Sequence, residues 1–146
     1  MITNGTQFAL DIANKAIDIA QTPNINNYYF IALFNSLIGE IYMAKQDFES
    51  AKVYIEKAIF LAKNFDLQHL LVKTYLQTAK MYQELALPKS SSRAHYIKQA
   101  LKMFQNAKNV AIVSEETSLQ KAIKEELNIL TSFCKLNGII LKKENS

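Results

Sequence analysis

Histidine, cysteine and carboxylate side chains are the residues that could give this chain a catalytic or metal-binding role. The two histidines, His69 and His95, are isolated in the sequence, so they form neither a helical pair of metal ligands nor the oriented base of a catalytic triad. Glu125 and Glu126 are adjacent, and on a helix they would point about 100° apart, which is poor geometry for a general acid and base. Cys134 is the single cysteine and can form neither an internal disulfide nor a multi-cysteine zinc site. With no glycine-rich phosphate loop in the sequence, we expect no enzyme activity, no cofactor and no metal site.

The composition favours an ordered, all-α domain. The chain has 146 residues, of which 49% are hydrophobic and 21% are charged, and its three glycines and two prolines leave few places for tight hairpin turns. No apolar run approaches the roughly 20 residues that a membrane-spanning helix needs. The N-terminal segment MITNGTQFAL also lacks the basic flank and apolar core of a signal peptide. We therefore expect a cytoplasmic protein with no membrane association.

Apolar side chains recur at three- and four-residue steps along six segments, which predicts six helices. The segments are separated by polar or helix-breaking stretches such as TPNINN, LPKSSS with Pro88, and the Asn137–Gly138 pair. Asp47 is placed to cap the third helix and Ser114 to cap the sixth. The predicted helical segments are residues 6–21, 25–44, 47–64, 67–86, 92–113 and 115–137.

One small residue recurs at a long interval, since Ala16, Ala58 and Ala100 are spaced 42 residues apart. Around these alanines, YIEKAIFLA in the third predicted helix aligns with YIKQALKMF in the fifth. A small side chain at a fixed position lets a neighbouring helix approach closely, and a stack of helix pairs needs one such position per pair. The pattern predicts an α-solenoid of antiparallel helix hairpins.

The best-defined unit of this pattern resembles the tetratricopeptide repeat. In that family a small residue stands three positions before an aromatic residue in the first helix, and small residues seven positions apart follow in the second helix. Gly39 and Tyr42, followed by Ala51 and Ala58, reproduce this arrangement. The resemblance implies a helical-repeat fold whose concave groove, formed by the first helices of the repeats, binds a peptide or a protein segment.

The next unit matches the family less completely. Ala79 and Tyr82 fit the first helix, but two extra residues in LPKSSS precede the second helix, and Arg93 stands where an alanine is expected. A small register shift would let Ala94 take that place. The resemblance covers roughly residues 25–108.

The repeat length of about 40 residues and the Asn- and Lys-rich surface look similar to those of bacterial quorum-sensing peptide receptors of the Rap, Rgg and PlcR type. This resemblance implies that the chain is the signalling-peptide-sensing region of a transcriptional regulator. Many such regulators carry a helix-turn-helix DNA-binding domain ahead of the repeats, and none is visible in this sequence. The alternative is a generic scaffold for protein–protein interactions.

We expect residues 1–146 to form one helical-repeat domain. Repeat one covers 25–64 and repeat two covers 67–113; an unpaired repeat helix at 6–21 precedes them, and a capping helix at 115–137 and a tail at 138–146 follow. Because the first helix lacks a partner of its own, we expect the chain to be part of a longer protein or a shortened form of one. Its uncovered apolar face predicts a homodimer. The tail either folds back through its apolar residues 139–141 or frays.

The face of the first helices that lies opposite their packed stripe is predicted to line the groove. Polar side chains there would bond the backbone of a peptide, and apolar side chains would form pockets for its anchors. The predicted peptide-binding residues are Leu33, Ser36, Glu40, Met43, Lys73, Leu76, Lys80 and Gln83.

The predicted fifth helix is basic, because no acidic residue occurs between Glu84 and Glu115. This charge either attracts an acidic partner or is an ordinary solvated lysine face. Without arginine clusters or interleaved aromatic residues that stack on bases, we expect no direct binding to nucleic acid. In the scaffold alternative, Lys98 and Lys102 of this helix would make the contact.

Overall fold

A computed structural model describes residues 4–22, 27–114 and 117–139. Of these residues 85% are helical and none is in a β-strand, so the all-α prediction is confirmed. No helix in this part of the chain is both long enough and apolar enough to span a membrane. The six helices are α1 (Asn4–Ala20), α2 (Tyr28–Ala44), α3 (Phe48–Asn64), α4 (Gln68–Ala86), α5 (Arg93–Val113) and α6 (Thr117–Leu136).

Side-chain caps define the start of two helices. Asp47 caps α3 as predicted: its Oδ1 accepts a hydrogen bond from the Ser50 amide at 3.1 Å, and its Oδ2 accepts one from the Ser50 hydroxyl at 2.7 Å. Asn27 caps α2 in the same way, accepting from the Phe30 amide at 3.2 Å. The two hydrogen bonds from Ser50 stabilise the carboxylate and hold the pKa of Asp47 below its ordinary value.

Ser114, the predicted cap of α6, lies at the end of α5. Its hydroxyl donates to the Val110 carbonyl at 2.9 Å, and the described part of α6 begins at Thr117, so the predicted cap stays a prediction. A serine hydroxyl can donate to carbonyls at the end of one helix as readily as it accepts from amides at the start of another. Gln120 strengthens the junction by donating to the Ala111 carbonyl at 3.1 Å. The predicted first residues of this helix, 115–116, lie outside the described residues.

Three helices end in the same hydrogen-bonded turn. A residue with left-handed backbone follows each helix: Gln46 (φ 60°) after α2, Asp66 (φ 54°) after α3 and Gly138 (φ 66°) after α6. The next amide donates to the carbonyl five residues earlier, with N···O distances of 2.9, 2.8 and 2.8 Å. Ile139 then packs against the core between α4, α5 and α6. The rest of the tail, residues 140–146, lies outside the described residues.

The helices pack in order along the chain. Each one contacts the next, most extensively α2 with α3 and α4 with α5, and the only other helix contacts in the described chain join α2 to α4 and α4 to α6. The helices α2, α4 and α6 therefore lie side by side.

Small residues sit at the closest contacts, as the repeat predicts. Gly39 is buried against α3, where an added Cβ would lie 2.6 Å from Cγ1 of Ile55. Ala58 and Ala100 have no exposed surface. Ala16 of α1 is only partly buried, since α1 packs against a single helix, α2.

A pair of stacked tyrosines joins α2 to α3, and a second pair joins α4 to α5. Tyr42 stacks on Tyr54 between α2 and α3, with ring centroids 5.5 Å apart and planes 16° from parallel. Tyr82 stacks on Tyr96 between α4 and α5, with centroids 6.3 Å apart and planes 25° from parallel. The contacts between α2 and α3 and between α4 and α5 are therefore built alike at the positions that the sequence pattern matches.

At the start of α5, Arg93 is partly buried and Ala94 does not take its place. Ala94 is exposed, whereas the Arg93 guanidinium lies 4.9 Å from the Phe133 ring centroid and donates to Oδ1 of Asn137 at 3.2 Å. The long side chain thus fills the space at the end of α6 that an alanine would leave open. The expected register shift was wrong because α6 provides a partner for the arginine.

Candidate functional site

The adjoining helices α2, α4 and α6 share a groove of about 760 Å³. Five of the eight predicted peptide-binding residues line it. α2 contributes Glu40 and Met43, and α4 contributes Lys73, Leu76 and Lys80. Within each helix these residues are spaced by three or four positions, so they occupy one face.

The groove combines apolar surface with charges of both signs. Met43, Leu76 and Leu119 are partly buried, and Leu119 brings α6 into the lining. Glu40 and Lys80 are exposed at its edge. Lys73 and Glu84, also exposed on α4, add one charge of each sign. Such a surface suits a ligand with apolar side chains and a polar backbone better than a ligand of high net charge.

Ser36 does not face the groove as expected, because it is engaged in the contact between α2 and α4. Only 7% of the residue is exposed. Its hydroxyl donates to Oε1 of Gln77 at 3.0 Å and lies 3.4 Å from the Thr74 hydroxyl. The Gln77 side-chain amide in turn donates to the Ser36 carbonyl at 2.9 Å. The prediction failed because a buried hydroxyl needs a partner, and α4 provides two.

The other two predicted residues lie away from the main groove. Leu33 is partly buried on α2 and does not line it. Gln83 lines a separate pocket of about 200 Å³ with α6 residues that include Ile129 and Phe133. That pocket is mainly apolar and too small for more than one side chain of a ligand.

Sequence reasoning missed several groove residues, among them Gln46, Gln77 and Glu84. Gln77 gave no signal in the sequence, because its burial depends on how α4 packs against α2. Gln46 lies beyond the end of α2 in the left-handed turn, so a face drawn on a regular helix does not include it.

A second, basic groove of about 480 Å³ lies between α5 and α6. Lys108, Lys121 and Lys124 line it above an apolar floor that includes Ile123 and Leu127. The lysines of the scaffold alternative, Lys98 and Lys102, are exposed on α5 one turn apart but line neither groove.

The residues considered for catalysis are dispersed. His69 and His95 are exposed on different helices, and the His95 ring lies 5.7 Å from that of Tyr96. Cys134 is 1% exposed, and burial raises the pKa of its thiol despite the opposing charge of Arg93. Within residues 4–22, 27–114 and 117–139, no group of three or more His, Cys, Asp or Glu side chains is placed to hold a metal ion.

Comparisons with known proteins found no relative of this chain. No family model matches the chain, and no curated protein and no solved structure matches it.

Proposed function

We propose that this protein binds a peptide or an extended protein segment in the groove between α2, α4 and α6. The observation that carries the proposal is the groove itself, whose lining combines apolar side chains with donors and acceptors from alternate helices. We further propose that the helices form a solenoid like that of tetratricopeptide repeats. The recurrence of the tyrosine stack in both hairpins supports this architecture.

The groove chemistry suits a main chain with unpaired hydrogen-bonding groups. The ammonium groups of Lys73 and Lys80 can donate to peptide carbonyls or to a terminal carboxylate. Glu40 can accept from peptide amides. Leu76 and Met43 offer apolar surface for one or two anchoring side chains. The ligand class is therefore a short extended peptide with apolar residues.

The repeat length of about 40 residues supports a more specific proposal: the chain acts in the cytoplasm as the signalling-peptide-sensing region of a bacterial transcriptional regulator.

Charge reversal at Lys80 tests the groove. Peptides would be selected from a library of short synthetic sequences, and their affinity measured by titration calorimetry. We expect Lys80→Glu to weaken the selected peptides about tenfold, equivalent to about 1.4 kcal/mol. Lys102→Glu is the matched control, since it makes the same charge change on an exposed helix position outside the groove. Circular dichroism should show equal helical content in both variants.

The scaffold function on α5 is the second candidate, and the exposed Lys98 and Lys102 and the neighbouring basic groove favour it. This alternative predicts that Lys102→Glu weakens binding and Lys80→Glu does not. It also predicts that affinity falls steeply with salt, because exposed charges are screened. If the groove proposal is correct, affinity should respond to Lys80 and not to Lys102. Equal insensitivity to both reversals would refute both functions.

A further inference from the structure

Large apolar side chains are exposed on both α1 and α2. Phe8, Ile12 and Ile19 of α1 and Phe30 and Leu37 of α2 are each between 38% and 67% exposed. We call these five residues the end face. So much exposed apolar side chain on two packed helices marks an interaction surface.

The interior of the protein shows what such a face is built to contact. In the repeat register that matches Gly39 with Ala79, the counterparts of Phe30 and Leu37 on α4 are Leu70 and Gln77. These counterparts are only 4% and 7% exposed, and Gln77 is hydrogen-bonded to α2. The α2 residues of the end face thus occupy positions that are covered by helix packing one repeat later.

The helix α1 has an apolar arc too wide for one neighbour. Leu10, Ala13 and Ile17 are buried in the core cluster that includes Ile38 of α2. At about 100° per residue, Phe8, Ile12 and Ile19 fall within an arc of about 40° on another side of α1. The exposed stripe of α1 is therefore free to accept a second helix.

Two charges beside this stripe restrict what the second helix can be. Asp11 and Lys15 are exposed one turn apart, and both lie on the same flank of the stripe. When two identical helices pack stripe to stripe in parallel, each flank meets the opposite flank of the other helix. When they run antiparallel, each flank meets the same flank of the other helix. In that arrangement Phe8 lies opposite Ile19 of the partner subunit, and Asp11 lies beside Lys15 of the partner subunit. The twofold axis repeats both contacts, so the surface is self-complementary in shape and in charge.

We propose that the exposed stripe of α1, formed by Phe8, Ile12 and Ile19, joins two copies of this chain through an antiparallel α1 pair. Burial of the stripe supplies the stability of the dimer, and the two Asp11–Lys15 pairs select the antiparallel orientation. The inference is independent of the peptide-binding proposal, since none of these residues lines the groove between α2, α4 and α6.

Charge reversals test this dimer directly. Sedimentation velocity over a concentration series should show a monomer–dimer equilibrium for the unmodified chain. Asp11→Lys and Lys15→Asp should each raise the dimer dissociation constant about tenfold, because each replaces two attractive pairs with two repulsive ones. Mixing these two variants should restore association as a heterodimer, and the double variant Asp11→Lys, Lys15→Asp should restore the homodimer.

Lys102→Asp is the matched control for Lys15→Asp. It makes the same charge change at an exposed position of α5, outside the end face, so association should change little. Circular dichroism on every variant separates loss of association from loss of folding. A monomer at all concentrations would overturn the proposal. Failure of the mixed variants to associate would also overturn it, since any partner other than a second copy lacks the reciprocal charges.

Discussion

The close approach of α2 and α3 at Gly39 leads to a quantitative prediction. A Cβ added there would lie 2.6 Å from Cγ1 of Ile55, 3.4 Å from its Cδ1 and 3.5 Å from the Ala51 carbonyl. Ile55 is 1% exposed and packs against Ala51 and Met81. Its Cγ1 lies next to the β-branch, so it can move away only if χ1 changes or the helix shifts. Gly39→Ala should therefore overpack the contact.

Two opposing terms set the size of the effect. Overpacking in a close-packed core costs about 1–3 kcal/mol. Replacing a mid-helix glycine by alanine contributes about 1 kcal/mol in the opposite direction. We expect Gly39→Ala to lower the free energy of unfolding by up to about 2 kcal/mol. Ala122→Gly, at an exposed position of α6, measures the helix-propensity term by itself.

A double-mutant cycle isolates the steric term. Ile55→Ala removes the atom that the new methyl group meets, so in that background Gly39→Ala should stabilise the protein by about 1 kcal/mol. The assay is urea denaturation followed by far-ultraviolet circular dichroism for all four proteins. If Gly39→Ala stabilises the protein equally in both backgrounds, the close contact between α2 and α3 does not exist as described.

Three further predictions concern the turn, the thiol and the cap. Gln46→Gly should leave the free energy of unfolding unchanged or raise it by up to about 1 kcal/mol, because glycine adopts φ 60° without strain. Gln46→Val should lower the free energy of unfolding. Urea denaturation compares the two variants. The thiol of Cys134 should react with Ellman's reagent at least about 100-fold more slowly in the native protein than in urea. The reason is that the residue is 1% exposed and that the pKa of its thiol is raised. A fast reaction of the native protein would contradict this burial. The pKa of Asp47 is lower in the folded state than in the unfolded state, where it is near 3.8. The charged cap therefore stabilises the protein fully above the unfolded pKa. This contribution is lost as the pH falls through the folded-state pKa. The melting temperature should therefore fall more steeply below about pH 5 in the unmodified protein than in Asp47→Asn. The asparagine keeps a hydrogen-bond acceptor at the cap but has no charge to lose. Parallel pH profiles of the two melting temperatures would show that the carboxylate has no such role.

Local pattern carried most of the fold information in this sequence. The apolar periodicity of each segment depends on residues three or four positions apart, and it located six helices. The repeat of small residues identified Gly39 and Ala58 as places where helices pack closely, because a large side chain would not fit there. The Asp47 cap was likewise predictable, since donor and acceptor are three residues apart.

Features that depend on the rotation of one helix against another were not predictable. Ser36 was placed in the groove because a helical wheel shows only its own helix, whereas its partner Gln77 lies 41 positions away. The exposure of Ala94 depends on Arg93 finding Phe133 and Asn137 at the end of α6. The left-handed turn at Gln46 could not be read from residue type, because the usual signal for that conformation is glycine.

The hydrogen bonds between Ser36 and Gln77 have a consequence for how the groove meets a ligand. One amide side chain holds both the hydroxyl and the carbonyl of a single residue on the facing helix, so α4 can neither slide along α2 nor rotate against it without breaking both bonds. An apolar contact would allow several nearly equal registers, whereas this paired bond permits one. The spacing between the two walls is therefore set before any ligand arrives. If the groove binds a peptide as proposed, binding requires little ordering of the protein, which reduces the entropic penalty of association and favours ligands that match the existing width.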